Sequence, residues 1–257
     1  MINPKELLTD KLYFADEKYM SVSTFKRFKK CEIEALEPWG EPSDAMKVGS
    51  YVDSYVSGVL DEFIEEHPEI ISSRGATKGE LKSEFKKAEE ICDYIDNNKL
   101  LQSFFSGDKQ MVLTGEINGV PVKGKLDFYS KGIAINDLKV LRTVTDNNGE
   151  YYDFISPYGY DLQLAVYSEL VRQNTGEILP CFICAVTKEK CINSVIVKID
   201  QVFLDRALYV VESNIQRYED LRRGRITPIG CGVCDSCISQ RNSTPIISLA
   251  DLIEGVV

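Results

Sequence analysis

From residue 111 to residue 140 the chain alternates with a period of two. MVLTGEI (111–117), VPVKGKLDFY (120–129) and IAINDLKV (133–140) place apolar residues on alternate positions. Successive strand side chains point to opposite faces, so the stretch reads as three strands. Asn118-Gly119 suits a two-residue hairpin, and Ser130-Lys131-Gly132 a three-residue loop with glycine in the left-handed position. An antiparallel meander therefore occupies the middle of the chain, and the flanking segments must cover its faces.

Inside this meander, among Ile, Leu and Val, sit Asp127, Asp137 and Lys139. Residues two apart share a face, so Asp137 and Lys139 point the same way, and Asp127 shares a face with Lys123 and Lys125. If Tyr129 pairs with Ile133, Asp137 lies opposite Lys125 and diagonal to Asp127, within cross-strand reach. Two carboxylates then converge beside one ammonium. Their repulsion raises one pKa unless a cation lies between them. Carboxylate oxygens suit Mg²⁺ or Mn²⁺, ions that keep water ligands and contact phosphate. Such an ion generates hydroxide and stabilises a phosphoryl group under attack. Lys139 is placed to orient or deprotonate the attacking water, or to neutralise the developing charge. The set fits phosphodiester cleavage. A solvated strand face with a surface salt bridge is the plainer account of any single Asp-x-Lys. The apolar surroundings and the second aspartate weigh against it.

The flanking sequence is largely helical before the meander and mixed after it. Helices are expected at 21–36 (capped by Ser21 or Ser23, with Pro38 beyond the end), 45–66, 79–96 (a Thr77/Glu80 capping box), 158–173 (stopped by Gly176) and 201–223. Strands are expected at 181–187 and 191–199. The fold class is mixed α/β (α+β): a central mixed sheet with an antiparallel meander, flanked by helices, under an N-terminal helical layer. At 257 residues this is one domain. Its parts are a helical region (1–105), a core (106–225) and a cysteine-rich turn with a tail (226–257).

Histidine chemistry is nearly excluded, because His67, beside Pro68 at a helix end, is the single histidine. The net charge of −10 argues weakly against nucleic acid, but basic residues cluster at Lys26, Arg27, Lys29 and Lys30, at Lys123 and Lys125, at Lys139 and Arg142, and at Arg217, Arg222, Arg223 and Arg225. Each cluster reads equally as a solvated face. No apolar run is long enough to cross a bilayer, and the N-terminus lacks a basic region followed by an apolar one. A cytoplasmic protein is expected.

Asp127, nine intervening residues and Asp137-Leu138-Lys139 resemble motifs II and III of the PD-(D/E)XK nucleases. Gln163 and Tyr167, in YDLQLAVYSEL, resemble the Q-x-x-x-Y element of RecB-type exonucleases and share one helix face. KVGSYVDSYVSG is similar to the upstream G-x-x-x-H motif, with Asp53 where the histidine stands. That change keeps an oxygen ligand and removes an imidazole; a helix-surface carboxylate is the plain alternative. Glu116 is a further candidate for a second ion, or simply the edge of the Asn-Gly hairpin. The resemblance spans residues 21 to 240. It implies a Mg²⁺-dependent exonuclease of the phage RecE-like or RecB/AddB type, with the Leu138 carbonyl joining Asp127 and Asp137 on the metal. It further implies degradation of duplex DNA ends, a RecT-type annealing protein as partner, and a ring-shaped homo-oligomer.

The chain has eight cysteines, which in a cytosolic protein do not indicate a disulfide framework. Cys92, Cys181, Cys184 and Cys191 read as core. Cys231, Cys234 and Cys237, in GCGVCDSCISQ, sit in a glycine-containing turn where three thiolates can face one point. The AddB-type resemblance implies a fourth ligand, Cys31, and a [4Fe–4S] cluster that ties the N-terminal helix to the C-terminal turn. The closer spacing of the last two cysteines leaves zinc as the alternative.

The function expected is thus a metal-dependent DNA exonuclease in phage-type recombination or DNA processing. A structure-specific endonuclease on the same core, and a catalytically idle DNA-binding or assembly subunit, are the alternatives.

Overall fold

The computed structural model describes residues 10–241, 246 and 248–254. Helix α1 (Asp10–Ala15) and a short strand β1 (Met20–Ser21) precede α2 (Val22–Lys30) and α3 (Glu32–Ala35). Next come α4 (Asp44–Ser57), α5 (Leu60–Glu66), a 3₁₀ turn (Pro68–Ile70), α6 (Ser83–Asp96) and α7 (Lys99–Phe104). The meander follows as β2 (Asp108–Ile117), β3 (Val120–Ser130) and β4 (Ala134–Leu141). Then come α8 (Tyr160–Thr175), β5 (Cys181–Thr187), β6 (Ser194–Ile199), α9 (Gln201–Arg222), α10 (Asp235–Ser239) and α11 (Leu249–Glu254). Among the described residues no helix is long and apolar enough to cross a membrane.

The mixed α/β class holds, and several boundaries differ for local reasons. The helix expected at 21–36 is capped by Ser21 but breaks at Cys31, whose backbone is extended (φ −160°, ψ 121°). The break turns the Cys31 thiol away from the helix surface and into the protein. The helix expected at 45–66 divides at Gly58, which takes φ +84°. The Thr77/Glu80 capping box is not formed: Leu81 bridges to Ile71 and the helix starts at Ser83. Cys191 lies in an exposed bend before β6, not in a strand core, whereas Cys92, Cys181 and Cys184 are buried.

The six strands form one sheet in the order β1-β3-β4-β5-β6, with β2 on the other edge of β3. β1 and β4 share one edge of β3. β1 pairs in parallel at Val122–Lys123, and β4 pairs antiparallel at Phe128–Ser130. Between these contacts β4 leaves β3 and runs parallel to β5, with Asp137 beside Ile183 and Lys139 beside Ala185. The sheet therefore forks, and Asp127 and Asp137 stand at the fork.

Register at the fork corrects the expected one. Tyr129 pairs with Ile135 rather than Ile133, because the loop spans residues 131–133. Asp137 consequently faces Asp127, not Lys125. The face assignment of Asp127 changes too. Leu126 packs into one core and Phe128, two residues on, into the other. Strict alternation slips by one across Asp127, which parts it from Lys123 and Lys125. Beside the slip, Gln110 of β2 adopts φ +53°, an uncommon conformation for a residue with a side chain.

Among the described residues, two large cores cover the sheet. Helices α2, α8 and α9 pack on one face with Leu113, Val122, Leu126 and Ile135, and α4, α6 and α7 pack on the other with Phe128, Leu138 and Val186. Helix α8 lies close to the sheet because Gly115 and Gly124 carry no side chains. A Cβ on Gly124 would come within 2.9 Å of both Tyr167 and Leu170, and one on Gly115 within 2.3 Å of Gln173. Lys123 is not a solvated basic residue. It is buried, and its ammonium donates to the Tyr13 and Asp16 carbonyls of α1 and the turn after it.

Candidate active site

β3 and β4 bring Asp127 and Asp137 together, and α8 closes over them. The Leu138 N–H donates to Asp127 Oδ2 at 2.9 Å, a bond that exists because the two strands have parted. Asp137 is fully buried. Its Oδ2 is ion-paired with the Lys139 ammonium, and its Oδ1 accepts from Gln163 Nε2 at 2.8 Å. The same Gln163 nitrogen lies 3.1 Å from the Tyr167 hydroxyl. The Lys139 ammonium also reaches the Leu138 carbonyl at 3.3 Å, so the expected metal-binding carbonyl lies beside the carboxylates.

The charges do not balance. Burial raises the Asp127 carboxyl well above its ordinary value, and Asp137 raises it further, with a smaller contribution from Asp53; Lys139 only partly offsets this. Burial pulls the Lys139 ammonium down, but Asp137 and then Asp127 outweigh it and hold it above its ordinary value. Burial likewise raises the Tyr167 phenol. An all-oxygen donor set with excess buried negative charge fits a hard divalent cation, which would relieve the repulsion that protonation otherwise relieves.

Asp53 reaches this region from α4. Gln110 Nε2 donates to both its carboxylate oxygens (3.2 and 3.0 Å) and lies 3.1 Å from Ser57 Oγ. The left-handed turn at Gln110 thus ties Asp53 to the slip in β3. Glu116 belongs elsewhere. It pairs with Pro121 at the far end of the hairpin, is exposed, and its backbone bonds to Gln173. Six strand residues, about 20 Å, separate that position from Asp127.

Three neighbours of the site carried no individual sequence signal. Gln110 is one. The others are Lys26 and Tyr160. The Lys26 and Lys139 ammoniums lie 5.5 and 5.3 Å from the Tyr160 ring centroid. Burial lowers Lys26 to about 8, and the positive charge of Lys139 adds to the effect. Lys26 belongs to a basic run that reads as a solvated face. Only the packing of α2 against the turn before α8 turns it inward.

A second constellation lies at the end of α2. Cys31, Cys231, Cys234 and Cys237 place their sulfurs within 4.8 Å of one another. The Cys31 sulfur is 3.5 Å from that of Cys237 and 3.6 Å from that of Cys234, and Cys231 is 3.9 Å from Cys237. Burial pushes the Cys31 thiol up. The N–H groups of Glu34 and Cys231 and the neighbouring thiols outweigh it and bring it down to about 6. A tetrahedral ion with bonds to sulfur of ~2.3 Å spaces its ligands ~3.8 Å apart. The four thiols fit a metal centre. A Glu32–Arg217 ion pair (2.6 Å) beside it joins α3 to α9.

Comparison with known proteins agrees with this architecture. No curated protein matches the chain. A crystal structure from Eubacterium rectale, described as that of a "Putative exonuclease", superposes with a TM-score of 0.84 at 41% identity, over 96% of this chain and 98% of that one. The family model for a PDDEXK-like domain of unknown function (DUF3799) matches residues 21–240, from the cap of α2 to the end of the cysteine turn. That match takes in the forked sheet, Asp127, Asp137 and Lys139, and all four clustered cysteines, and the chain accordingly belongs to the PDDEXK-like family.

Proposed function

We propose that the chain is a metal-dependent deoxyribonuclease, an exonuclease that hydrolyses phosphodiester bonds at duplex DNA ends. The observation that carries this reading is the fork. Asp127, Asp137, Lys139 and Gln163 meet there in one hydrogen-bonded and ion-paired set on a PDDEXK-like frame. The exonuclease name borne by the Eubacterium rectale relative supports it.

In this reading Asp127, Asp137 and the Leu138 carbonyl hold Mg²⁺ or Mn²⁺, with Asp53 completing the shell or orienting a water. When bound, the ion supplies an activated water and stabilises charge on the phosphate. The chain's own groups do the remaining work. Gln163 fixes the Asp137 carboxylate, and Tyr167 fixes Gln163. Lys139 stays protonated between the two aspartates, which suits it to hold the attacking water and balance charge on the phosphate rather than to remove a proton. The whole chain serves as one nuclease domain of the cytoplasm. Phage-type recombination, beside a RecT-type annealing protein and in a ring of copies, is the setting that the sequence resemblance implies.

The four-cysteine site would hold a metal centre that ties the end of α2 to the C-terminal turn. Sulfurs within 4.8 Å of one another support one tetrahedral zinc ion as a reading. Cys31, Cys231, Cys234 and Cys237 would equally be the residues to hold the [4Fe–4S] cluster that the resemblance implies, with their sulfurs spread further apart. A broad visible absorption band identifies the cluster, and its absence with one zinc per chain identifies the ion.

Linear and closed-circular duplexes, each incubated with Mg²⁺, test the exonuclease assignment. Digestion of the linear form alone supports it. Cutting of the circle shows an endonuclease instead.

A further inference from the structure

Three groups beside the fork have no part in the mechanism above. Tyr158 and Tyr160 flank Gly159, and their rings stack with centroids 5.7 Å apart at an interplanar angle of 24°. Gly159 makes the step possible. It takes φ +63°, and a Cβ there would come within 2.9 Å of the Lys26 stem. Lys26 crosses that gap and donates to the Tyr158 carbonyl at 3.1 Å. The Tyr160 ring lies against Lys26 and Lys139 alike. The order is therefore continuous: Asp137, Lys139, Tyr160, Tyr158, solvent. Tyr158, 57% exposed, ends it.

An exposed aromatic ring is a poor partner for paired bases, whose faces are already stacked on their neighbours. It is a good partner for an unpaired base, and the Lys26 ammonium, bonded to the Tyr158 carbonyl, offers a positive charge to a flanking phosphate. We propose that Tyr158, backed by Tyr160 and Lys26, stacks an unpaired base next to the scissile phosphate, so that the strand enters the site single-stranded and a duplex end must fray to be cut. This rests on the nuclease reading and adds its substrate class: an unpaired DNA terminus.

The test uses the full-length protein and oligonucleotides with 2-aminopurine at the second position from the end, with Ca²⁺ in place of Mg²⁺ to permit binding without cleavage. Parent protein and Tyr158→Phe quench the fluorescence, and Tyr158→Ala does not. With Mg²⁺, Tyr158→Ala raises KM for unpaired ends by about 5- to 100-fold with kcat little changed, the range expected for one lost base stack. An abasic residue at that position weakens binding by the parent to the same degree. Equal quenching by Tyr158→Ala, an unchanged KM, or indifference to the abasic residue overturns the proposal. A parent that binds and quenches yet never cleaves contradicts the nuclease reading alone, and a parent that cleaves without quenching contradicts this proposal alone.

Discussion

Gln163 Nε2 donates to Asp137 Oδ1 at 2.8 Å and sits 3.1 Å from the Tyr167 hydroxyl, so helix α8 is fastened to strand β4 at the carboxylate itself. One amide thereby fixes the orientation of a fully buried acid. Groups that orient metal-binding side chains commonly cost 10- to 100-fold in metal affinity or activity when lost. Gln163→Ala is expected to lose activity in about that range while keeping its melting temperature within a few degrees. Metal titration of the rate separates the cause: added Mg²⁺ or Mn²⁺ should recover part of the loss.

The same helix depends on Gly124. A methyl group there meets the Tyr167 ring and Leu170 at 2.9 Å. Overpacking of this kind costs about 1–3 kcal/mol, and in a chain of this size each kcal/mol lowers Tm by roughly 2–4 °C. Gly124→Ala should therefore melt several degrees lower and also cut more slowly, because the helix that carries Gln163 is pushed away from Asp137. Gly119→Ala, in the hairpin turn about 16 Å along the sheet, meets the backbone strain of a positive φ (+79°) but no such neighbour, and it should leave the rate unchanged.

Asp127 links stability to pH. Burial, and then Asp137, raise its carboxyl above the ordinary value of 3.8, so the folded chain holds that proton more tightly than the unfolded chain. Where the folded state binds more protons, stability falls as pH rises. The loss begins near pH 4 and accumulates toward the raised folded value. Asp127→Asn keeps an acceptor for the Leu138 N–H and removes the charge. In chelator it should melt a few degrees above the parent at about pH 8, with the difference shrinking toward about pH 4. Mg²⁺ should stabilise the parent and not the variant. Thermal melts across pH, with and without Mg²⁺, measure both effects.

Cys31 is the thiol that brings the α2 end of the domain to the C-terminal turn. Cys31→Ser should lower the metal content of purified protein and its melting temperature together. Elemental analysis beside thermal melts reads both. A metal centre required only for structure leaves the Mg²⁺ dependence of the remaining activity unchanged.

The meander was legible because Asn118-Gly119 and the apolar alternation leave few other solutions. Asp137 and Lys139 were legible as a pair because two-residue spacing survives any register. What sequence spacing misplaced was the register itself, since a loop of residues 131–133 reads much like one of 130–132. The slip at Asp127 is a property of the fork, where β4 trades one partner strand for another, and no local pattern records it. Gln110 and Lys26 stayed hidden for a related reason. A positive φ at glutamine leaves no mark on composition, and a lysine within a basic run turns inward only when a distant turn, here at Gly159, makes room. Glu116 shows the opposite error: near Asp127 in sequence, it lies at the other end of the same hairpin.

Metal-dependent cutting of DNA at the fork of Asp127, Asp137 and Lys139 is open to direct test. Digestion of end-labelled linear DNA by the parent and by Lys139→Ala, each with Mg²⁺ and with chelator, tests it most directly. Shortening is expected with the parent in Mg²⁺, none in chelator, and a rate at least about 100-fold lower for the folded variant, the loss typical of one electrostatic donor. Intact DNA with the parent in Mg²⁺ and in Mn²⁺, or equal digestion by Lys139→Ala, would contradict it.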